Sequence, residues 1–193
     1  MANLLSPRHL LTSLISSISK PNNDGESRPT NSNPLTTAPP PTQKALLTLH
    51  VLFPNELLPA LDLLDRNLLT RLLLHGRPAL HHVRSSSTAQ HRTGSYEVRL
   101  NSWSCSCPAF AFAAFPAVEK APAEPMMAVP DGGGAGGSAD WTFGGLALGT
   151  DMPVCKHLLA CVLVEHCDVF RSFAAEQEVS VEELAGWAAG WGD

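Results

Sequence analysis

Four side chains of metal-binding type, set in two short motifs, constrain this chain more than any other feature. Cys105-Ser106-Cys107 and Cys155-Lys156-His157 form a Cys-x-Cys…Cys-x-His set. On extended backbone, side chains i and i+2 lie on one face, so Cys105 and Cys107 can reach a single ion. A Cys-x-His at the mouth of a helix supplies two further ligands, and the helix N-terminus favours thiolate charge there. Thiolates and imidazole in a tetrahedral set of four are the ligands of structural zinc. The expected cofactor is one structural Zn2+ on Cys105, Cys107, Cys155 and His157. Lys156 would partly offset the negative charge of three thiolates. The competing reading is three core cysteines beside an ordinary histidine, because cysteine is a common buried residue. Cys161, His166 and Cys167 are rival ligands. Cys161 and Cys167 are assigned to a helix core and His166 to the surface. His81 and His82 alternate on a strand with no cysteine partner and are assigned structural roles.

Catalysis finds little support. A hydrolytic zinc needs an open coordination position and a general base, and Cys3His fills all four positions. The chain has no His-Glu-x-x-His, and no His-x-Glu with Pro-Cys-x-x-Cys of the zinc deaminases. Its glycine run at 132–137 lacks the Gly-Lys-Ser/Thr of a phosphate loop. A non-enzymatic binding module is expected.

Along the chain, Leu11, Leu14, Ile15 and Ile18 recur at helical spacing and predict a short amphipathic helix. It reads as a docking helix or a frayed terminus. With Arg8 and Lys20 and no acid before Asp24, a mitochondrial transit segment is the alternative. Residues 20–43, rich in Pro, Asn, Ser and Thr, read as a disordered linker. Residues 1–43 are therefore taken as an arm and 44–193 as the folded domain. Residues 46–53 are strongly apolar. Residues 55–75 predict the best helix, capped by Asn55, with Leu57, Leu58, Leu61, Leu64, Leu68 and Leu72 on its apolar face. A break near Asn67 is left open. Residues 80–85 and 95–103 predict a β-hairpin whose second strand runs into Cys105. A short helix is expected at 109–115, and 108–154 contains a flexible Gly/Pro-rich insert, with order returning at 141–148. A dense apolar helix is expected at 158–169. Ser180 with Glu183 matches a capping box and predicts a last helix. The fold class is α+β, a small mostly helical domain with a β-hairpin and a ββα zinc finger.

Five cysteines are an odd number. The two outside the motifs, Cys161 and Cys167, lie too far apart along a helix for an unstrained disulfide. With no secretory signal, a reducing compartment is expected, nucleus or cytosol. No apolar run approaches the ~18 residues of a membrane helix, so a soluble chain is expected. The net charge of −5 hides an asymmetry. Residues 66–100 hold six arginines (Arg66, Arg71, Arg77, Arg84, Arg92, Arg99) against Glu97, whereas residues 101–193 hold three basic and twelve acidic side chains. The arginines could form a nucleic-acid footprint, a solvated face, or a surface for an acidic partner.

The segment Cys-Ser-Cys-Pro-Ala-Phe-Ala-Phe at 105–112, followed by Cys-Lys-His-Leu-Leu-Ala at 155–160, resembles a SWIM-type zinc finger. With Ala-Leu-Asp-Leu-Leu-Asp-Arg at 60–66 and the hairpin, residues 52–164 without the insert resemble the small SWIM-domain subunits of the Shu complex, a eukaryotic recombination-mediator family. The resemblance implies the same four zinc ligands, with Phe110, Ala111, Phe112, Leu158, Leu159 and Ala160 as framework around the metal. It also matches Asp62, Asp65 and Arg66 to a helical motif of the family; surface pairing along a helix explains them equally well. It implies a RecA-like recombinase paralogue as partner, promotion of recombinase filaments on single-stranded DNA, and a nuclear role in homologous recombination repair. The insert is longer and richer in glycine than is usual in that family, and the N-terminal arm has no counterpart. The alternative is a stand-alone nucleic-acid-binding zinc module that uses the arginines of 66–99.

Overall fold

A tight turn starts the sheet. His75 and Gly76 both hold positive φ, 52° and 72°, the geometry of a two-residue turn whose twist matches antiparallel strands. A computed structural model describes residues 6–18, 39–84, 94–116, 141–146 and 152–189. Among them are seven helices and one five-stranded sheet, a mixed α+β architecture. In chain order the elements are α1 (Pro7–Ile18), α2 (Pro40–Leu52), α3 (Leu57–Asp65), β1 (Leu69–Leu74), β2 (Arg77–Arg84), β3 (Ser95–Arg99), β4 (Ser104–Cys105), α4 (Pro108–Ala114), α5 (Lys156–His166), α6 (Asp168–Arg171), β5 (Ala174–Glu178) and α7 (Val181–Ala188). The sheet order is β4-β3-β2-β1-β5, antiparallel except for the parallel β1/β5 pair. No described helix is long and apolar enough to cross a membrane.

The expected helix over 55–75 is corrected to a helix and a strand. Asn67 takes φ 50°, Asn67 N–H donates to Leu64 O at 2.9 Å and Leu68 N–H to Leu63 O at 3.0 Å. This pair of bonds around a left-handed residue ends a helix and satisfies its last carbonyls. The chain then enters β1, so Leu68 and Leu72 share spacing with α3 but not its helix. The start also differs: Glu56, not Asn55, occupies the N-cap position of α3 and makes no side-chain cap. α2 begins at Pro40, within the stretch read as linker, because proline at the first helical positions loses no hydrogen bond. The capping box at Ser180 and Glu183 forms as expected.

The helix α5 is the centre of the fold. His157 through Val164 are all buried, eight consecutive positions, so the helix is enclosed on every side. α1 belongs to this core. Its Leu11, Ile15 and Ile18 join the same buried cluster as α5, and Cys167 Sγ contacts Ile15 O at 3.7 Å. The 141–146 segment also docks here. Gly145, with φ 51°, sits so close to the β3–β4 turn that a Cβ would lie 2.5 Å from Leu100 O. The expected linker at 20–43 falls for residues 20–38 outside the described residues, as does 117–140 of the insert. The second sheet face carries a smaller cluster of Leu72, Leu80 and Val179, covered by Leu184 and Trp187 of α7.

Register places one row of side chains across all five strands. Glu176, Arg71, His81, Val98 and Cys105 are successive partners from β5 to β4, and directly paired residues share a face. α5 crosses that row. At its far end Glu165 accepts from Arg71 Nε at 2.6 Å, from Arg71 Nη2 at 3.0 Å and pairs with His81 Nε2 at 2.8 Å. Arg71 is only 2% exposed and also pairs with Glu176. Burial alone would raise the Glu165 pKa, but the hydrogen bonds and charges of His81 and Arg71 bring it down to about 2. His166 was expected at the surface; it is half-buried and stacks flat on Trp141, with ring centroids 3.6 Å apart. Burial pushes its pKa down to about 4, against the opposing pull of Glu165.

Both groups bind fewer protons folded than unfolded, so stability falls on acidification. His166 acts as pH drops from about 6.5, its unfolded value, to about 4. Glu165 acts from about 4.3, the ordinary carboxylate value, to about 2. Urea unfolding across this range should show two declines, the first flattened by His166→Gln and the second by Glu165→Gln. At neutral pH, Glu165→Ala strips Arg71 of its main partner and should cost about 3 kcal/mol, read from the urea midpoint.

Candidate metal centre

The two halves of the centre are built by the same local device. Cys107 is the N-cap of α4, and its Sγ accepts from Phe110 N–H at 3.3 Å, with Pro108 at the first helical position. Cys155 is the N-cap of α5, and its Sγ accepts from Leu158 N–H at 3.5 Å. A thiol at a helix start meets backbone donors and the positive end of the helix dipole, which favours thiolate. Cys105 is placed by the sheet instead, opposite Val98 in β4. The residue between the two cysteines fixes their spacing: Ser106 N–H donates to Glu97 O at 3.0 Å, and Ser106 Oγ accepts from Glu97 N–H at 2.9 Å. Trp103, with φ 50°, bonds through Nε1 to Pro153 O at 2.9 Å and so ties the turn before Cys105 to the approach to Cys155.

These constraints bring Cys105, Cys107, Cys155 and His157 together, all buried, with their ligand atoms within 4.8 Å of one another. Cys105 Sγ and His157 Nδ1 are 3.9 Å apart. A tetrahedron with metal–sulfur bonds of ~2.3 Å has edges of about 3.8 Å, so the separation suits a four-coordinate ion. The His157 ring rests against Tyr96, centroids 4.6 Å apart, and its Nε2 has no hydrogen-bond partner among the described residues.

The protonation of the cluster also fits a cation. Hydrogen bonding from Cys105, and then from Cys155, holds the Cys107 thiol far below its ordinary pKa. Its partner Cys105 is pushed far up by that hydrogen bond to Cys107. Cys155 is drawn down by Cys105 but pushed further up by Cys107 and by burial, to about 11. The cluster alone thus favours one thiolate with two protons retained. A divalent ion balances the charge that loss of those protons creates. The four side chains could hold a metal ion.

The rival ligands stay apart. Cys161 is buried one turn beyond His157, Cys167 is buried beside α1, and neither joins the cluster. No disulfide joins the described cysteines. His81 is committed to Glu165, and His82 lies against Trp187. Among the framework residues named from the resemblance, Phe110, Leu158, Leu159 and Ala160 are buried. Ala111 and Phe112 are corrected: both are exposed, Phe112 at 77%, because α4 turns them away from the side that buries Phe110. Asp62 and Arg66 form an exposed i, i+4 pair at 3.5 Å. Tyr96, Ser106 and Trp103 escaped the sequence reading. Only the Cys107-Pro108 step carried a readable signal, a cap followed by proline at the first helical position. No protein-family model matches the chain, and no curated protein matches it.

Metal loading should release about two protons per ion at neutral pH and weaken as pH falls, which calorimetry in buffers of different ionisation enthalpy reads directly. Cobalt(II) should bind one ion per chain and give the absorption of a tetrahedral thiolate site. Cys107→Ser should abolish that spectrum, and chelator should lower the melting temperature.

Proposed function

We propose that this chain is a non-catalytic scaffold subunit clamped by one structural zinc ion, with a SWIM-type finger formed by β3, β4 and α5. In this reading it binds a RecA-like recombinase paralogue and promotes recombinase filament assembly during homologous recombination repair in the nucleus, as its resemblance to Shu-complex SWIM subunits implies. The carrying observation is the closed, buried set of three cysteines and one histidine. Soft thiolates with one imidazole in a four-ligand site suit zinc over the hard divalent ions. Four protein ligands leave no open position for a hydrolytic water.

The surface supports a binding role. Leu47 and Val51 of α2, Leu58 of α3, and Phe112 and Phe115 beyond the Cys-x-Cys motif are large apolar side chains left exposed. The arginines give less support to a stand-alone nucleic-acid module. Arg71 is buried in an ion-pair network, Arg99 pairs with Glu97, Arg66 pairs with Asp62, and Arg84 donates to Asn67 O at 3.2 Å. A footprint for phosphates needs such groups aligned and exposed.

Co-expression with RecA-like paralogues, followed by metal analysis of the purified complex, tests the proposal. One zinc per chain is expected, and Cys155→Ser or His157→Ala should lose both metal and partner. Full complex formation by a zinc-free variant overturns the clamp. Steeply salt-sensitive binding of the isolated chain to single-stranded DNA, with no protein partner recovered, favours the nucleic-acid module instead.

A further inference from the structure

The two edges of the sheet end differently. β4, at one edge, is two residues long and runs through Ser106 straight to the start of α4. β5, at the other, keeps five consecutive pairs with β1, from Leu69 with Ala174 to Leu73 with Glu178, and contains no bulge and no proline. Val179 N–H donates to Leu73 O at 2.9 Å and continues this ladder. Successive residues of a strand turn their N–H and C=O groups to opposite sides. Ala175 and Gln177 therefore face β1, as Val179 does, while Ala174, Glu176 and Glu178 turn theirs outward. Among the described residues, none bonds these outward groups, and the strand is exposed from Ala175 to Glu178. Such an edge is a template for a further strand unless short length, proline, a bulge or charge blocks it.

Charge is the one block present, and it is selective. Glu176 and Glu178 lie on the sheet face that meets α5, and both turn back toward the chain. Glu176 pairs with Arg71, and Glu178 Oε1 accepts from Gly76 N–H at 3.0 Å. Glu182 and Glu183, exposed at the start of α7, extend the acidic stretch. The basic side chains described at this end are His75, Arg77 across β1, and Arg71, which is shared with Glu165. Arg84 and Arg171 stand at the other end, beside the start of β5. Carboxylates thus prevail where the strand ends. A second copy of β5 would set them against their equals, and like charges directly opposite one another destabilise a strand pair. A strand that carries cations meets the reverse.

We propose that the open edge of β5 takes up an extended segment of a partner protein as an added strand, with lysine or arginine side chains on the face that carries Glu176 and Glu178. The outward N–H and C=O groups of Ala174, Glu176 and Glu178 supply the main-chain bonds, which give affinity in this mode of recognition. Cross-strand contact with the two carboxylates supplies the preference for cations. On the other face the added strand lies beside Ala175 and Gln177, which carry no charge, so alternate residues of the partner are uncharged. This edge is the opposite one from β4 and its Cys105, and the inference does not depend on the metal or on the recombinase reading.

The test is amide hydrogen exchange of the full chain, read residue by residue by NMR. The probe is acetyl-Lys-Val-Lys-Val-Lys-Val-Lys-amide. Its controls carry Glu in place of every Lys, or Pro in place of every Val, the latter keeping the charge while losing alternate N–H donors. At a peptide concentration about tenfold above Kd, exchange at Ala174, Glu176 and Glu178 should slow about tenfold, and exchange at Ala175 and Gln177, already bonded to β1, should change little. Neither control should act this way. Glu178→Lys should weaken the Lys-Val peptide about tenfold. The peptide comparison uses the unsubstituted chain, so it decides even if that variant fails to fold. No slowing, equal slowing with the Glu-Val or the Lys-Pro peptide, uniform slowing across 174–178, undiminished binding by a folded Glu178→Lys chain, or slowing on concentrating the chain alone, which marks pairing between copies, overturns the proposal.

Discussion

The fold depends on one helix held to one row of the sheet at both ends. Glu176, Arg71, His81, Val98 and Cys105 lie in register across five strands. His157 meets Cys105 at one end of α5, and Glu165 meets Arg71 and His81 near the other. The eight residue steps from His157 to Glu165 rise about 12 Å along a helix. Two to three strand spacings, about 10–14 Å, separate Cys105 from His81 and Arg71. The two lengths match, so the Cys/His cluster at one end and the ion pair near the other both lie along the same helix.

That match explains why the middle of α5 can be wholly apolar. Between its anchors, Leu158 through Val164 have only packing to satisfy, against α1 and α3 on one side and the sheet on the other. It also explains the arginine at the centre of β1. A buried guanidinium is tolerable only when its donors are met by carboxylates, and Glu165 and Glu176 meet them from a helix and from the edge strand. The edge strand β5 is thereby tied to the core through a side chain as well as its parallel ladder. Glu176 and Glu178 are both exposed along this strand, and charge on an edge discourages pairing with other chains.

Much of the local structure was legible because its signals are local. The capping box at Ser180, the apolar run of α5 and the Cys-x-His at its mouth each declare themselves within a few residues. The cluster of possible metal ligands was legible for a similar reason: few side chains bind soft metals, and the spacing of these four suits one strand and one helix start. Failures came where pairing is distant. β1 reads Leu-Thr-Arg-Leu-Leu-Leu, as apolar as the helix before it, and only the Asn67 stop and the His75-Gly76 turn separate the two. β5 reads Ala-Ala-Glu-Gln-Glu, all helix formers, and becomes a strand because the open edge of β1 needs its hydrogen bonds filled.

The sequence by itself determined which atoms are able to bind a metal and which helices have their ends marked, since both follow from residue type at short spacing. Tertiary structure alone decided that Arg71, one of six arginines in a basic stretch, is buried rather than facing solvent. It alone decided that Glu165 and His81, 84 positions apart, share a proton-bearing contact while His81 keeps one nitrogen unpaired. It also decided that Phe110 faces inward and Phe112 outward. The physical reason is common to all three. Burial and pairing are properties of where a side chain arrives, and that is set by strand register and helix crossing, which no short window of sequence contains.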